Sequence, residues 1–242
     1  MSLITEFKNL KFLLDSGIST FTQNNPNIMY TIKKKESNIG DNSQNINISE
    51  IQNLEELEKL IKNSDICSLK KNANKTVFAD GNPLSKIMLI GEAPGAEEDK
   101  YGKPFVGKAG ELLDKMLNSI ELDRNKVYIS NIIPWRPPGN RNPTDEEILQ
   151  CLPFIQKHIE IINPSILILL GTIASKALLI TNLGITKLRG KWHEYNNLGL
   201  SDSIPVRTLF HPAFLLRSPS YKRQTWDDLL EIKRKLKNNE LY

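Results

Sequence analysis

The chain has 242 residues, of which 39% are hydrophobic and 25% charged, with a formal net charge of +4. That length suffices for one well-packed core with an appendage, and the balance excludes both a polyionic chain and one too polar to fold. No apolar run approaches the ~20 residues of a membrane span, and two cysteines, Cys67 and Cys151, form no disulfide framework and fit a reducing cytoplasm.

Residues 1–63 read as an N-terminal extension and 64–242 as the main domain. The opening MSLITEFKNLKFLLDSG lacks a basic start, a long apolar centre and a small-residue cleavage site, so it does not read as a secretion signal. Glu6 to Leu14 suits a short amphipathic helix. Roughly residues 20–49, rich in Asn and Ser and carrying Lys33, Lys34 and Lys35, are too polar to order themselves and read as a flexible linker. Ser49 then opens a helix in which Ile51, Leu54, Leu57, Leu60 and Ile61 recur at helical spacing.

From about residue 64 the pattern becomes regular. Four apolar runs, Lys86–Ile90, Val127–Ile133, Ser165–Leu170 and Ile204–Phe210, alternate with helical patterns such as Leu112, Leu113, Met116 and Leu117. Strand and helix in alternation, with largely apolar strands, predict an α/β fold with a parallel sheet covered on both faces. In such a sheet ligands bind beyond the carboxyl ends of the strands.

The residues just past each strand are therefore the informative ones. The first strand ends in Gly91-Glu92-Ala93-Pro94-Gly95, then the acids Glu97, Glu98 and Asp99, then Pro104-Phe105-Val106-Gly107. Such a Gly/Pro loop exposes its backbone, although one loop of this kind also fits an ordinary strand-to-helix connection. Asn131 closes the second strand, and Arg136-Pro137-Pro138-Gly139-Asn140-Arg141 comes after it. Gly171-Thr172 succeeds the third, and His211-Pro212-Ala213-Phe214-Leu215-Leu216-Arg217 the fourth. Their convergence on one rim says more than any single motif.

The rim chemistry is limited. There is no Ser/His/Asp logic, HExxH, paired CxxC or phosphate-cradling GxxxxGK[ST]. Thr144-Asp145-Glu146-Glu147 reads as a helix cap with an acidic first turn. Phe105 is suited to stack on a planar ring or to tuck into the core edge. Asn131 is suited to read the edge of a base or to close a turn on its own backbone. His211, at a strand end, is suited to face a developing anion, whereas His158 and His193 fall off the rim and read as structural. Lys222 and Arg223, with Arg217 before them and Tyr221 and Trp226 interleaved, suit a phosphate backbone or a solvated helix face.

Taken together, GEAPGAEED, GKPFVGKAG, NIIPWRPPGNRNP and HPAFLLRSP, with Arg189-Gly190 and the closing WDDLL, resemble the motif set of family 4 uracil-DNA glycosylases over about residues 64–237. The resemblance implies a three-layer αβα domain around a four-stranded parallel sheet. It implies hydrolysis of the N-glycosidic bond of uracil in DNA, as the first step of base-excision repair, by a monofunctional enzyme. By motif position, Gly91, Glu92 and Ala93 line the pocket, Phe105 stacks on uracil, Asn131 bonds its edge and His211 stabilises the leaving anion. Asn140 and Glu98 are further site candidates, and Glu92 is the carboxylate best placed to act on water. Leu215, Leu216 and Arg217 form a wedge loop, which with Arg141, Lys222 and Arg223 makes up the expected DNA-binding set.

The sequence departs from the family at its iron–sulfur cluster. Of four cysteine positions, Cys67 and Cys151 remain, and Ser64 and Trp135 stand at the other two. Two thiolates do not make a four-cysteine site, so the expectation is no metal and no cofactor. Uracil-containing DNA is the expected partner of a monomer in the cytoplasm. A non-catalytic module that binds uracil-containing or single-stranded DNA is the alternative.

Overall fold

Six strands form one sheet in the computed structural model, which describes residues 48–239. They are β1 (Asp80–Gly81), β2 (Ile87–Gly91), β3 (Tyr128–Asn131), β4 (Ile166–Leu170), β5 (Trp192–Tyr195) and β6 (Ile204–Leu209). Their spatial order is β1-β3-β2-β4-β6-β5. The helices are α1 (Leu54–Asn63), α2 (Ala96–Tyr101), α3 (Lys108–Asn118), α4 (Asp145–Ile162), α5 (Thr172–Leu179), α6 (Ile185–Leu188), α7 (Pro212–Arg217) and α8 (Lys222–Asn238). The short helix expected at Glu6–Leu14, and all but the end of the expected linker, lie outside the described residues. Among the described residues no helix is long and apolar enough to cross a membrane.

The four expected strands occupy the middle of the sheet and run parallel, in the order β3-β2-β4-β6. The expectation of a four-stranded, all-parallel sheet is corrected at the edges, where β1 pairs antiparallel with β3 and β5 antiparallel with β6. Neither edge strand has an apolar signature. β1 is two residues long, and β5 reads Trp-His-Glu-Tyr with only Tyr195 buried.

Side chains alternate across the sheet, as a period of two requires. Met88, Ile90, Leu167, Leu169 and Val206 enter one core with Leu57 and Ile61 of α1, Phe154, Ile155 and Ile159 of α4, and Ala174 and Leu178 of α5. Ile87, Leu89, Ile129, Ile166 and Ile168 enter the other with Leu113, Met116 and Leu117 of α3, Leu215 of α7, and Leu229, Ile232 and Leu236 of α8. Helices therefore cover both faces. The helix read as part of the N-terminal extension is α1, which buries Leu57 and Ile61 in the first core. It starts at Leu54, not Ser49, because the Asn53 side chain accepts the Glu56 N–H at 2.9 Å and caps it.

The cap read at Thr144 is present. Thr144 Oγ1 accepts the Glu147 N–H at 3.2 Å and Glu147 Oε2 accepts the Thr144 N–H at 2.8 Å. Arg189-Gly190 and the WDDLL segment, far apart in sequence, meet at Asp228. This fully buried carboxylate accepts from Arg189 Nε at 2.8 Å, Gly190 N at 3.1 Å and Arg207 Nη2 at 2.6 Å. The network fastens α8 and the loop before β5 to β6, the strand that leads to His211.

Candidate active site

The rim is assembled from the carboxyl ends of β2, β3, β4 and β6. Pairing of β2 with β3 continues past the strands, with Ile132 N–H donating to Gly91 O at 3.0 Å and Ile133 N–H to Glu92 O at 3.1 Å. This holds Gly91 and Glu92 beside Asn131. At Gly91 any side chain is excluded by close approach, since a Cβ there would lie 2.6 Å from Phe105 Cζ and would also collide with Asn131 Oδ1. Gly91, Phe105 and Asn131 thus form one contact. Across the rim the Phe105 and His211 rings have centroids 5.6 Å apart at 30°. His211 also lies against Gly171 at the end of β4.

Electrostatics differ residue by residue. Asn131 is buried, and its Oδ1 has no hydrogen-bond partner among the described residues. An acceptor left unpaired at that depth carries a desolvation cost that a donor on a ligand would relieve. His211 caps α7, its Nδ1 accepting the Ala213 N–H at 3.2 Å. Burial, and secondarily Arg217, push its imidazole down to about 4, with Glu98 acting the other way. The ring is therefore neutral at physiological pH, with its proton on Nε2 as a donor. Glu92 is half-buried, and burial raises its carboxyl above the ordinary range while Arg217 opposes the shift. Ala93 packs against the first core beside it.

Glu98 turns inward to the backbone, accepting from Gly95 N at 3.1 Å and from Val106 and Gly107 N at 2.9 Å each. It ties the two loops together and so acts on the pocket through them. Asn140 is exposed at the end of the 3-10 turn Pro138–Asn140, and its Oδ1 accepts from Arg136 Nε at 2.7 Å. Arg141 spends its guanidinium on Glu147, Nη1 to Oε2 at 2.8 Å and Nη2 to Oε1 at 2.6 Å. Leu215, expected in the wedge, is 1% exposed in the second core, because adjacent positions on a helix point to different sides, and its neighbour Leu216 is 43% exposed. Arg217, Lys222 and Arg223 are exposed, whereas Tyr221 packs against Phe210 and Phe214 at 5.0 and 5.1 Å.

His158 and His193 are structural as read. His158 shares a 2.7 Å hydrogen bond with Tyr128 Oη and stacks on Phe78 at 4.4 Å, and His193 Nε2 meets Leu188 O at 2.8 Å. The contacts of two residues, Asp99 and Arg124, carry no signal in the sequence. Asp99 accepts from Asn74 and Lys75 N–H at 2.8 and 3.2 Å, and Arg124 grips the Phe105 loop. Both act across long sequence separations, which no local spacing signals.

The four positions at which the family's cluster cysteines would stand hold Ser64, Cys67, Trp135 and Cys151. Cys67 and Cys151 are buried in the first core, and a hydrogen bond from Cys151 pulls Cys67 down to about 7. Trp135 is fully buried, donates Nε1–H to Thr76 Oγ1 at 3.1 Å and meets Phe154 edge-on at 6.4 Å. Ser64 Oγ accepts the Ile66 N–H at 3.3 Å. Two thiols, an indole and an occupied hydroxyl do not fit a cluster that needs four thiolates.

The sequence matches the uracil DNA glycosylase superfamily over residues 78–230, a span that contains the whole rim. It is 38% identical to a type-4 uracil-DNA glycosylase of Pyrobaculum aerophilum over 73% of this chain and 91% of that protein. It is 40% identical to one of Thermotoga maritima over 69% and 85%, and 37% identical to one of Saccharolobus solfataricus over 79% and 90%. The chain belongs to the uracil DNA glycosylase superfamily.

Proposed function

We propose that this protein is a monofunctional uracil-DNA glycosylase that hydrolyses the N-glycosidic bond of uracil in DNA and opens base-excision repair. The observation that carries the reading is the meeting of Gly91, Phe105, Asn131 and His211 at one end of the sheet, with Asn131 Oδ1 unpaired and His211 neutral.

The target bond lies inside the base stack, so the nucleotide must first be extruded, at a cost of a few kcal/mol. Exposed Leu216 fills the gap, and Arg217, Lys222 and Arg223 hold phosphates. Uracil then stacks on Phe105 over the backbone of Gly91 and Ala93. Asn131 Oδ1 accepts the uracil imide N–H, which satisfies the buried acceptor. As the bond to C1′ breaks, positive charge grows on the sugar and negative charge on uracil. The Nε2–H of neutral His211 donates to the uracil oxygen that takes up this charge, and in a dry site such a donor acts without reorganising. Water oriented by the Glu92 carboxylate adds at C1′ as the bond to uracil breaks, its proton passes to Glu92, and the departing uracil anion takes up a proton. Glu98 holds the two loops in register, and Asn140 with Arg136 borders the site.

We place the catalytic unit in the main domain, acting as a cytoplasmic monomer without an iron–sulfur cluster, its volume filled by Trp135 packed against Phe154. The decisive experiment incubates the protein with a uracil-containing oligonucleotide and then cleaves abasic sites with alkali. Strand scission at uracil is expected. Its absence on duplex and single-stranded substrates alike defeats the enzyme reading. Stoichiometric iron and a brown colour in protein purified anaerobically would defeat the cluster-free reading.

A further inference from the structure

We propose that Arg124 is a positioning residue for Phe105, holding the stacking ring against the pocket wall from behind. The idea rests on the assignment of Phe105 as the stacking residue.

Phe105 has φ of 55°, in the left-handed region that residues other than glycine seldom adopt. Such a conformation costs free energy and persists only where neighbouring groups over-determine it. Three features do so here. From the carbonyl side, Arg124 donates Nη2–H to Phe105 O and Nη1–H to Pro104 O at 3.3 Å. From the amide side, Glu98 Oε1 accepts the next two N–H groups, of Val106 and Gly107. From below, α3 approaches so closely at Gly110 that a methyl group there would collide with the Phe105 carbonyl.

Arg124 is itself fixed. Its Nη1 reaches Asp80 Oδ2 at 2.7 Å on edge strand β1, and its Nε reaches Asp114 Oδ1 at 2.8 Å on α3. One planar fork thereby joins an edge strand, a helix and two carbonyls of the pocket loop. A lysine, with a single charged tip, does not reproduce this. On its outer side Arg124 lines an open cleft of about 400 Å³, with Asp80, Gly81, Asn82, Pro83 and Asn125, which contains no rim residue. Its direct hydrogen bonds toward the rim, among the described residues, go to the Phe105 loop, at the Pro104 and Phe105 carbonyls. The ring at stake leaves no space for a side chain at Gly91 and faces His211 at 5.6 Å, so a small displacement alters the surface on which uracil would lie.

The test is a double-mutant cycle on single-turnover excision. Arg124→Ala is expected to slow excision by about tenfold to a hundredfold, the scale of a roughly 1 Å misplacement in an active site. Arg124→Lys is expected to recover little. Affinity for the uracil-containing duplex should change much less than the rate. In a Phe105→Ala background the same Arg124→Ala change should add almost nothing, because residues acting through one contact are non-additive. An equal loss in both backgrounds, or an undiminished rate in Arg124→Ala, overturns the proposal. Should Arg124→Ala not fold, Asp114→Asn, which withdraws one support of the guanidinium, runs through the same cycle and is judged by the same coupling. Full activity of Phe105→Ala alone would instead defeat the stacking assignment, and the Arg124 proposal with it.

Discussion

Two regions of this molecule hold polar groups in buried surroundings, and they treat them in opposite ways. At the rim Asn131 Oδ1 is unpaired, Phe105 sits in a left-handed conformation, Glu92 is pushed up by burial and His211 is pushed down. On the flank around Trp135 the accounts close. The indole N–H is bonded, the Ser64 hydroxyl is bonded, the free thiols of Cys67 and Cys151 interact as a hydrogen-bonded pair, and Trp135 and Cys151 are 0% exposed. In the proposed reading a bound ligand relieves the unpaired acceptor at the rim, whereas the bonded groups of the flank need nothing beyond the fold. The flank is packed as core, whereas at the rim the Asn131 acceptor has no partner among the described residues.

The largest expected effect breaks the flank. Trp135→Ala should cost about 3–5 kcal/mol of stability, the range for truncating a buried aromatic residue, read from denaturant unfolding. The folded fraction should still excise uracil at the parent rate. A large drop in that rate with stability intact would mean that the two regions are not separate. The next effect breaks the rim. His211→Asn keeps an acceptor able to cap α7 but withdraws the imidazole donor. Excision should fall by about 10² to 10³, with the unfolding midpoint nearly unchanged. If stability fell and the rate did not, His211 would be a cap only.

How much of this contrast was legible beforehand depends on sequence separation. The central strands announced themselves because Ile87–Ile90 and Ile166–Leu170 are continuous apolar runs buried on both faces. The rim could be placed from where those runs end, and the resemblance supplied roles. Pairing between distant residues stayed hidden. Nothing near Glu98 says that its carboxylate will be consumed by Val106 and Gly107, and nothing near Arg141 says that Glu147 will neutralise it. Leu215 and Leu216 carry the same chemistry, and only the direction of α7 tells core from surface. The edge strands were missed because half-exposed or two-residue strands lack an apolar signature.

That direction gives a smaller, sharper comparison. Leu215→Ala should destabilise the fold by about 2–5 kcal/mol, as for any buried leucine. Leu216→Ala should leave stability within about 0.5 kcal/mol, as expected of a surface site. It should instead slow excision from duplex more than from single strands, since only the duplex requires an unstacking cost to be offset. Equal slowing on both substrates would remove Leu216 from the wedge role.

The smallest expected effects are in pH dependence, where one histidine from each setting can be compared. Burial holds His211 down to about 4 and His158 to about 3, from an ordinary 6.5. Above pH 6.5 both imidazoles are neutral folded or unfolded, and neither contributes a slope. Below it the unfolded chain binds protons that the folded chain refuses, so stability falls until the folded value is reached. The decline should run from pH 6.5 to about 4 for His211 and on to about 3 for His158, in denaturant midpoints. The share of His158 should be the larger, since at 2% exposure it is the more completely buried. His211→Asn should remove only the smaller share. Excision should track another group. In the proposed mechanism an ionised Glu92 acts on water, and burial raises its carboxyl above 4.5, so the acid limb of the rate should lie above pH 4.5 while His211 is still neutral. Glu92→Gln should lower the rate and abolish that limb. A limb that survived the substitution would assign the water to a different base.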